Sequence, residues 1–170
     1  MPLIGIPNSI TPELLYALAR MGHGDTIVIA DANFPSDSIA NNSVIKLPIR
    51  VKGTTSKILK DILTLIPLDT YSPSPIQVMD RVDSDKASNL YVPAYELLAN
   101  ASNVNINSLT YVERFEFYKQ AKNSFCVIQT DDSTLYANVI VSKGVIWFLK
   151  LLFAITTYMC TIIGLSIILW

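Results

Sequence analysis

The chain has 170 residues and a formal net charge of −1, a length that suits one domain with a sizeable core. Its 13 Lys and Arg are scattered without a basic face, which excludes a nucleic-acid or other polyphosphate partner. A single histidine excludes a multi-histidine metal centre, and Cys126 and Cys160, in apolar surroundings without a CxxC pair, fit a reducing, cytoplasmic compartment better than a disulfide framework.

The first predicted element is a helix. Thr11 is its N-cap, Pro12 its first residue, and Glu13 complements the positive helix end. Leu14, Leu15, Leu18 and Met21 follow helical spacing, and Gly22 stops the run. Thr26–Ala30 (TIVIA) reads as a buried strand, broken by Asp31-Ala32-Asn33-Phe34-Pro35. A second strand is expected over Ser43–Ile49. Ile58, Leu59, Ile62, Leu63 and Ile66 mark an amphipathic helix, capped by Thr55 or Ser56 and ended before Pro67. Pro73-Ser74-Pro75 is a turn, and Ile76–Val82 a strand. Pro93 opens a helix through Ala101, an Asn-rich loop follows, and Arg114–Lys122 is helical. Ser124–Thr130 and Tyr136–Ser142 read as two strands joined as a hairpin across Asp131-Asp132-Ser133-Thr134. Alternating helices and strands give an α/β layered domain. No GxGxxG or GxxxxGK[ST] loop occurs, so nucleotide binding has no motif to rest on.

His23 stands between two glycines just past a helix end. A lone histidine is often structural, but flanking glycines leave the ring uncrowded, and imidazole exchanges protons near neutrality. Asp31 follows directly on the apolar strand; its bland reading is a turn or cap residue. A straight five-residue strand spans ~16 Å, so His23 and Asp31 share a pocket only through a bend or a second subunit. Arg114 lies among Phe115, Phe117 and Tyr118, where a helix-surface arginine is the ordinary reading. Tyr136 and Asn138 alternate along the last expected strand and so face one way. There is no Gly-x-Ser-x-Gly and no Cys–His pair close in sequence. The residues by themselves support a site for a small polar ligand.

Taken in order, several stretches together resemble the L-fucose mutarotases of the RbsD/FucU family. They are Ser9 to Asp25 (SITPELLYALARMGHGD), Ala30 to Pro35 (ADANFP), Pro67 to Tyr71 (PLDTY), Glu113 to Tyr118 (ERFEFY), Tyr136-Ala137-Asn138 and Lys143-Gly144-Val145. The resemblance covers residues 1–145. It implies an RbsD-like fold, a homodecamer with pockets at subunit contacts, and interconversion of α- and β-L-fucose without a cofactor or metal. It also implies His23 as proton donor, Tyr136 or a water as its counterpart, and Asp31, Asp69, Arg114, Tyr136 and Asn138 as sugar-binding groups. Asn33 and Ala137 depart from residues common in the family, histidine and glycine respectively. The alternatives are a ribose pyranase-type isomerase, or a sugar-binding or membrane-scaffold protein without catalysis.

Residues 146–170 fall outside the resemblance. Residues 151–170 (LLFAITTYMCTIIGLSIILW) carry no charge, and as a helix would span ~30 Å, about one bilayer core. Trp147 and Trp170 then suit the two interfaces. An added C-terminal apolar helix, anchoring an enzyme that faces the cytosol, is the expectation, alongside the reading of an appended transcript or gene-model tail. Because Tyr136 and Asn138 lie a short distance upstream, such a tail is placed to block the pocket.

Overall fold

The computed structural model describes residues 3–87 and 93–146. Helix α1 (Pro12–Arg20) begins where the Thr11 hydroxyl accepts a hydrogen bond from the Leu14 amide at 3.2 Å, with Pro12 in the first turn. It buries Leu14, Ala17 and Leu18 and ends abruptly as Met21 turns extended. Strand β1 (Thr26–Ala30) follows, with Ile27 to Ala30 fully buried. Short helix α2 (Ser36–Ala40) leads to β2 (Ile49–Arg50), and α3 (Thr55–Leu63) buries Ile58, Leu59 and Ile62. Then come β3 (Ile76–Met79), α4 (Asp83–Ala87), α5 (Ala94–Ala101), a 3₁₀ turn (Ile106–Ser108) and β4 (Thr110–Val112). Helix α6 (Arg114–Lys122), β5 (Cys126–Gln129) and β6 (Val139–Ser142) complete the described elements.

The six strands form one sheet in the order β2-β5-β1-β6-β3-β4. Only β6 is antiparallel to its neighbours; the other pairings are parallel. Side chains alternate across the sheet and both faces are covered. Ile27, Ile29, Ile128, Val139 and Val78 pack on one face with α1, α3 and α5. Val28, Val127, Ile140 and Met79 pack on the other with Ile39 of α2 and Phe117 of α6. Each fully buried Leu, Ile or Val contributes roughly 1.5–3 kcal/mol, so this central sheet is the rigid frame of the molecule. The result is a three-layer α/β domain, as the alternation of elements implies.

The hairpin is the main correction. β5 and β6 do not pair; β1 lies between them, parallel to β5 and antiparallel to β6. The connecting residues do other work: Asp131 accepts from the Gly53 amide at 2.7 Å and Asp132 from the Thr55 amide at 2.8 Å, tying this loop to the start of α3. Tyr136 and Asn138 precede β6, and Tyr136 has φ +60°, so strand alternation does not govern where they point. The cap of α3 is Thr54, since Thr55 is itself helical and buried. The strands expected over Ser43–Ile49 and Ile76–Val82 are shorter, at Ile49–Arg50 and Ile76–Met79. Among the described residues no helix is long and apolar enough to cross a membrane, and the expected C-terminal apolar helix lies outside them.

Candidate functional site

The polar residues of interest gather at the two ends of β1. At its entrance, Gly24 adopts φ +82° and turns the chain back so that His23 faces the segment after α3. His23 Nε2 lies 3.2 Å from Asp69 Oδ1, and its ring meets Tyr71 edge-on at 5.9 Å between centroids. Asp69 is buried and also accepts from the Tyr71 amide at 2.9 Å. That amide bond, opposed by burial and helped by His23, holds its carboxyl below the usual carboxylate range. An ionised Asp69 selects the tautomer with the proton on Nε2 and leaves Nδ1 for another partner. The His23 side chain keeps 48% of its surface accessible, so a ligand can reach it.

At the exit of β1, the buried Asp31 is held from two sides. Asn138 Nδ2 donates to Asp31 Oδ2 at 2.7 Å, and Asn138 Oδ1 accepts from the Asp31 amide at 3.0 Å. The Asn33 amide donates to Asp31 Oδ1 at 2.9 Å. Burial nevertheless raises the Asp31 carboxyl above its ordinary value, against these hydrogen bonds. Antiparallel β6 makes the reciprocal pair possible, because its start lies beside the end of β1.

Tyr136 and Arg114 belong to this second end. The Tyr136 hydroxyl donates to the Asp85 carboxylate on α4 and accepts from the Val82 amide at 3.3 Å. Burial and then Asp85 raise the phenol above its ordinary range, and the nearby Arg114 charge opposes the rise. A phenol so held is protonated at neutral pH. Arg114 opens α6, whose cap Glu113 accepts from the Phe115 and Glu116 amides at 2.8 and 3.1 Å. Its guanidinium lies 4.7 Å from the Phe115 ring centroid. Its Nε is buried without a hydrogen-bond partner among the described residues, so Arg114 is not the ordinary helix-surface arginine.

The structure therefore unites His23 with Asp69, and Asp31 with Asn138, but it keeps the two groups apart at opposite ends of β1. Asp85 is a partner the sequence did not disclose. It sits on a five-residue helix whose run Asp83-Ser84-Asp85-Lys86 reads as a solvated charged face. The chain also leaves β6 at the His23 end, where the Gly24 amide donates to the Lys143 carbonyl at 2.9 Å. Tyr136 and Asn138 lie at the other end of β6; the expectation that a tail blocks the pocket falls on residues outside the described ones.

Residues 4–146 match the RbsD / FucU transport protein family. The chain belongs to this family. Among its members, the fucose mutarotase of Mus musculus is 48% identical over 146 residues, 84% of this chain and 94% of that protein. Of the solved structures, FucU from Bifidobacterium longum superposes with a TM-score of 0.73 at 42% identity, covering 84% of this chain and 100% of that one. The fucose mutarotase of Streptococcus pneumoniae in complex with L-fucose gives a TM-score of 0.73 at 35% identity, covering 85% of this chain and 100% of that one. The mixed sheet with one antiparallel strand is thus the family's fold.

Proposed function

We propose that the protein is a fucose mutarotase, an isomerase that interconverts α- and β-L-fucose by opening and reclosing the sugar ring. The observation that carries this reading is the identity with proteins named fucose mutarotase over nearly their whole length, which takes in both ends of β1.

The reaction needs a proton delivered to the ring oxygen and a proton removed from the anomeric hydroxyl. The C–O bond of the ring then breaks to give the open aldehyde, the carbonyl rotates, and reclosure with the protons returned yields the other anomer. His23, fixed by Asp69 through Nε2 yet open to solvent on its other side, serves as the proton donor in its imidazolium form, giving the Nδ1 proton to the ring oxygen and regaining one on reclosure. The Tyr136 hydroxyl, or a water beside it, is the counterpart at the anomeric oxygen: the phenol accepts the anomeric proton as it passes its own to the Asp85 carboxylate, and the reverse transfer accompanies reclosure. Asp31, Asn138 and Arg114 hold the sugar hydroxyls; the unpartnered Arg114 Nε supplies a donor that a hydroxyl satisfies.

One chain holds the two groups at opposite ends of β1, so a sugar that touches both needs a second subunit; the ring-shaped homodecamer that the family resemblance implies supplies one. Exposed aromatic side chains rim both ends, Tyr71 beside His23 and Phe115 beside Arg114, as a subunit contact requires. In the same reading residues 1–145 are the catalytic unit, and residues 146–170 are either a membrane anchor, with the enzyme facing the cytosol, or an appended transcript or gene-model tail. Recovery of the full-length chain wholly in the soluble fraction excludes that anchor.

The test of function is saturation transfer between the anomers of L-fucose, read by NMR with the full-length chain. The native protein is expected to accelerate exchange, and His23→Ala to lower the rate by roughly 10²–10⁴-fold, the usual worth of a proton-transfer group. Exchange no faster than in buffer, with native protein, overturns the assignment.

A further inference from the structure

We propose that Lys143 is a positioning residue for His23, clamping the His23 loop and the Asp69 segment onto one short strand. Its effect on rate rests on the mutarotase reading; its effect on His23 geometry does not.

The need for a clamp begins in α1. A helix leaves its last carbonyls without intrahelical donors, and here the chain turns extended at Met21. The Gly22 amide, which in a continuing helix would donate to the Leu18 carbonyl, instead donates to Asp25 Oδ2 at 2.7 Å. The Lys143 ammonium takes up the orphaned groups, donating to the Leu18 carbonyl at 3.3 Å and to the Met21 carbonyl. A cation at that position also complements the negative end of the helix.

The Lys143 backbone grips the same loop. Its amide donates to the Asp25 carbonyl at 2.9 Å and its carbonyl accepts from the Gly24 amide at 2.9 Å, so His23 lies just ahead of two fixed points. On the other side the same strand holds the partner of His23. The Asp69 amide donates to the Ser142 carbonyl at 3.0 Å, the Gly144 amide donates to the Pro67 carbonyl at 2.8 Å, and Leu68 bridges to Lys143. Residues 142–144 thus lie between the loop that carries His23 and the segment that carries Asp69. Gly144 permits this closeness, since a Cβ there would stand 2.3 Å from the Leu68 carbonyl oxygen. The 3.2 Å contact between His23 and Asp69 therefore depends on a strand that neither residue belongs to.

The chain's single histidine makes the inference readable, because histidine labelled with ¹³C at Cε1 gives one resonance. In full-length Lys143→Met that resonance is expected to move in the direction it takes in Asp69→Asn. The value of kcat for anomer exchange is expected to fall by about 10- to 100-fold with KM changed less than about twofold, the signature of a misplaced catalytic group. Lys143→Arg, which keeps donors in place, is expected to restore most of kcat. A native resonance and native kcat in Lys143→Met overturn the proposal. Should that variant not fold, amine-acetylation footprinting of the native chain decides: Lys143 reacts more slowly than the exposed Lys46 and Lys52, and equal reactivity overturns the clamp. If native protein fails to accelerate fucose exchange, the mutarotase reading falls, while the resonance and the footprint still judge the clamp.

Discussion

Asp31 and Asp69 are both buried carboxylates, and their surroundings push them in opposite directions. At Asp69 the Tyr71 amide and the adjacent His23 favour the charged form; at Asp31 burial outweighs the bonds from Asn138 and Asn33. The sign for stability follows from linkage. A carboxyl raised on folding binds its proton more readily in the folded state. Its burial costs nothing well below the ordinary carboxylate range, and the cost sets in as pH rises through that range. It is complete above the raised folded value. Asp31→Asn removes the titration, so its melting temperature relative to the native chain is expected to improve as pH rises through this window. Thermal melts of both proteins across mildly acidic to neutral pH check it; a constant difference shows that Asp31 is not raised. His23 was legible in the sequence because its flanking glycines set it apart. Asp85 was not, since nothing in a short charged run identifies the one carboxylate that meets a phenol far away in sequence.

Among the elements, α1 and α3 were legible from their apolar period, with the cap of α1 read correctly and that of α3 one residue off, and α5 and α6 were legible as helical runs at nearly their true bounds. Two- to five-residue elements such as β2, β4, α2 and α4 offer no period to read. The misjudged hairpin has a different cause. β5 and β6 are apolar on both faces, and a fully buried strand does not announce its neighbour. The pairing is decided by β1, which fits between them, and by the Asp131 and Asp132 side chains that hold the intervening loop on α3. The crowding where β6 ends gives a prediction of its own. Gly144→Ala forces a methyl group against the Leu68 carbonyl, with backbone on both sides and no flexible side chain to yield. Overpacking of this kind costs about 1–3 kcal/mol. Denaturant unfolding is expected to show that loss, and unchanged stability would mean the two segments are not held so closely.

For the whole molecule, the distance between the two polar groups has the largest consequence. β1 is a central strand whose five residues span ~16 Å, with His23 before it and Asp31 after it, and the buried frame does not allow that span to close. A sugar that touches both must be gripped by the His23 end of one subunit and the Asp31 end of another. A head-to-tail contact of that kind builds a ring where its rotation closes, and a two-fold contact pairs the same ends in a dimer. Two variants, each dead alone, separate this arrangement from a site within one chain. His23→Ala lacks the donor but keeps an intact Asp31 end; Asp31→Ala combined with Asn138→Ala keeps the donor and lacks the other end. If subunits share the site, co-refolding the two at equal amounts pairs an intact donor end with an intact Asp31 end at about one quarter of contacts, so about that fraction of native exchange activity returns. Mixing the folded assemblies without unfolding provides the control, since subunits that do not exchange restore nothing. No recovery after co-refolding, with mixed assemblies verified by mass spectrometry, means that one chain carries the whole site and that the two ends of β1 do not act on the same sugar.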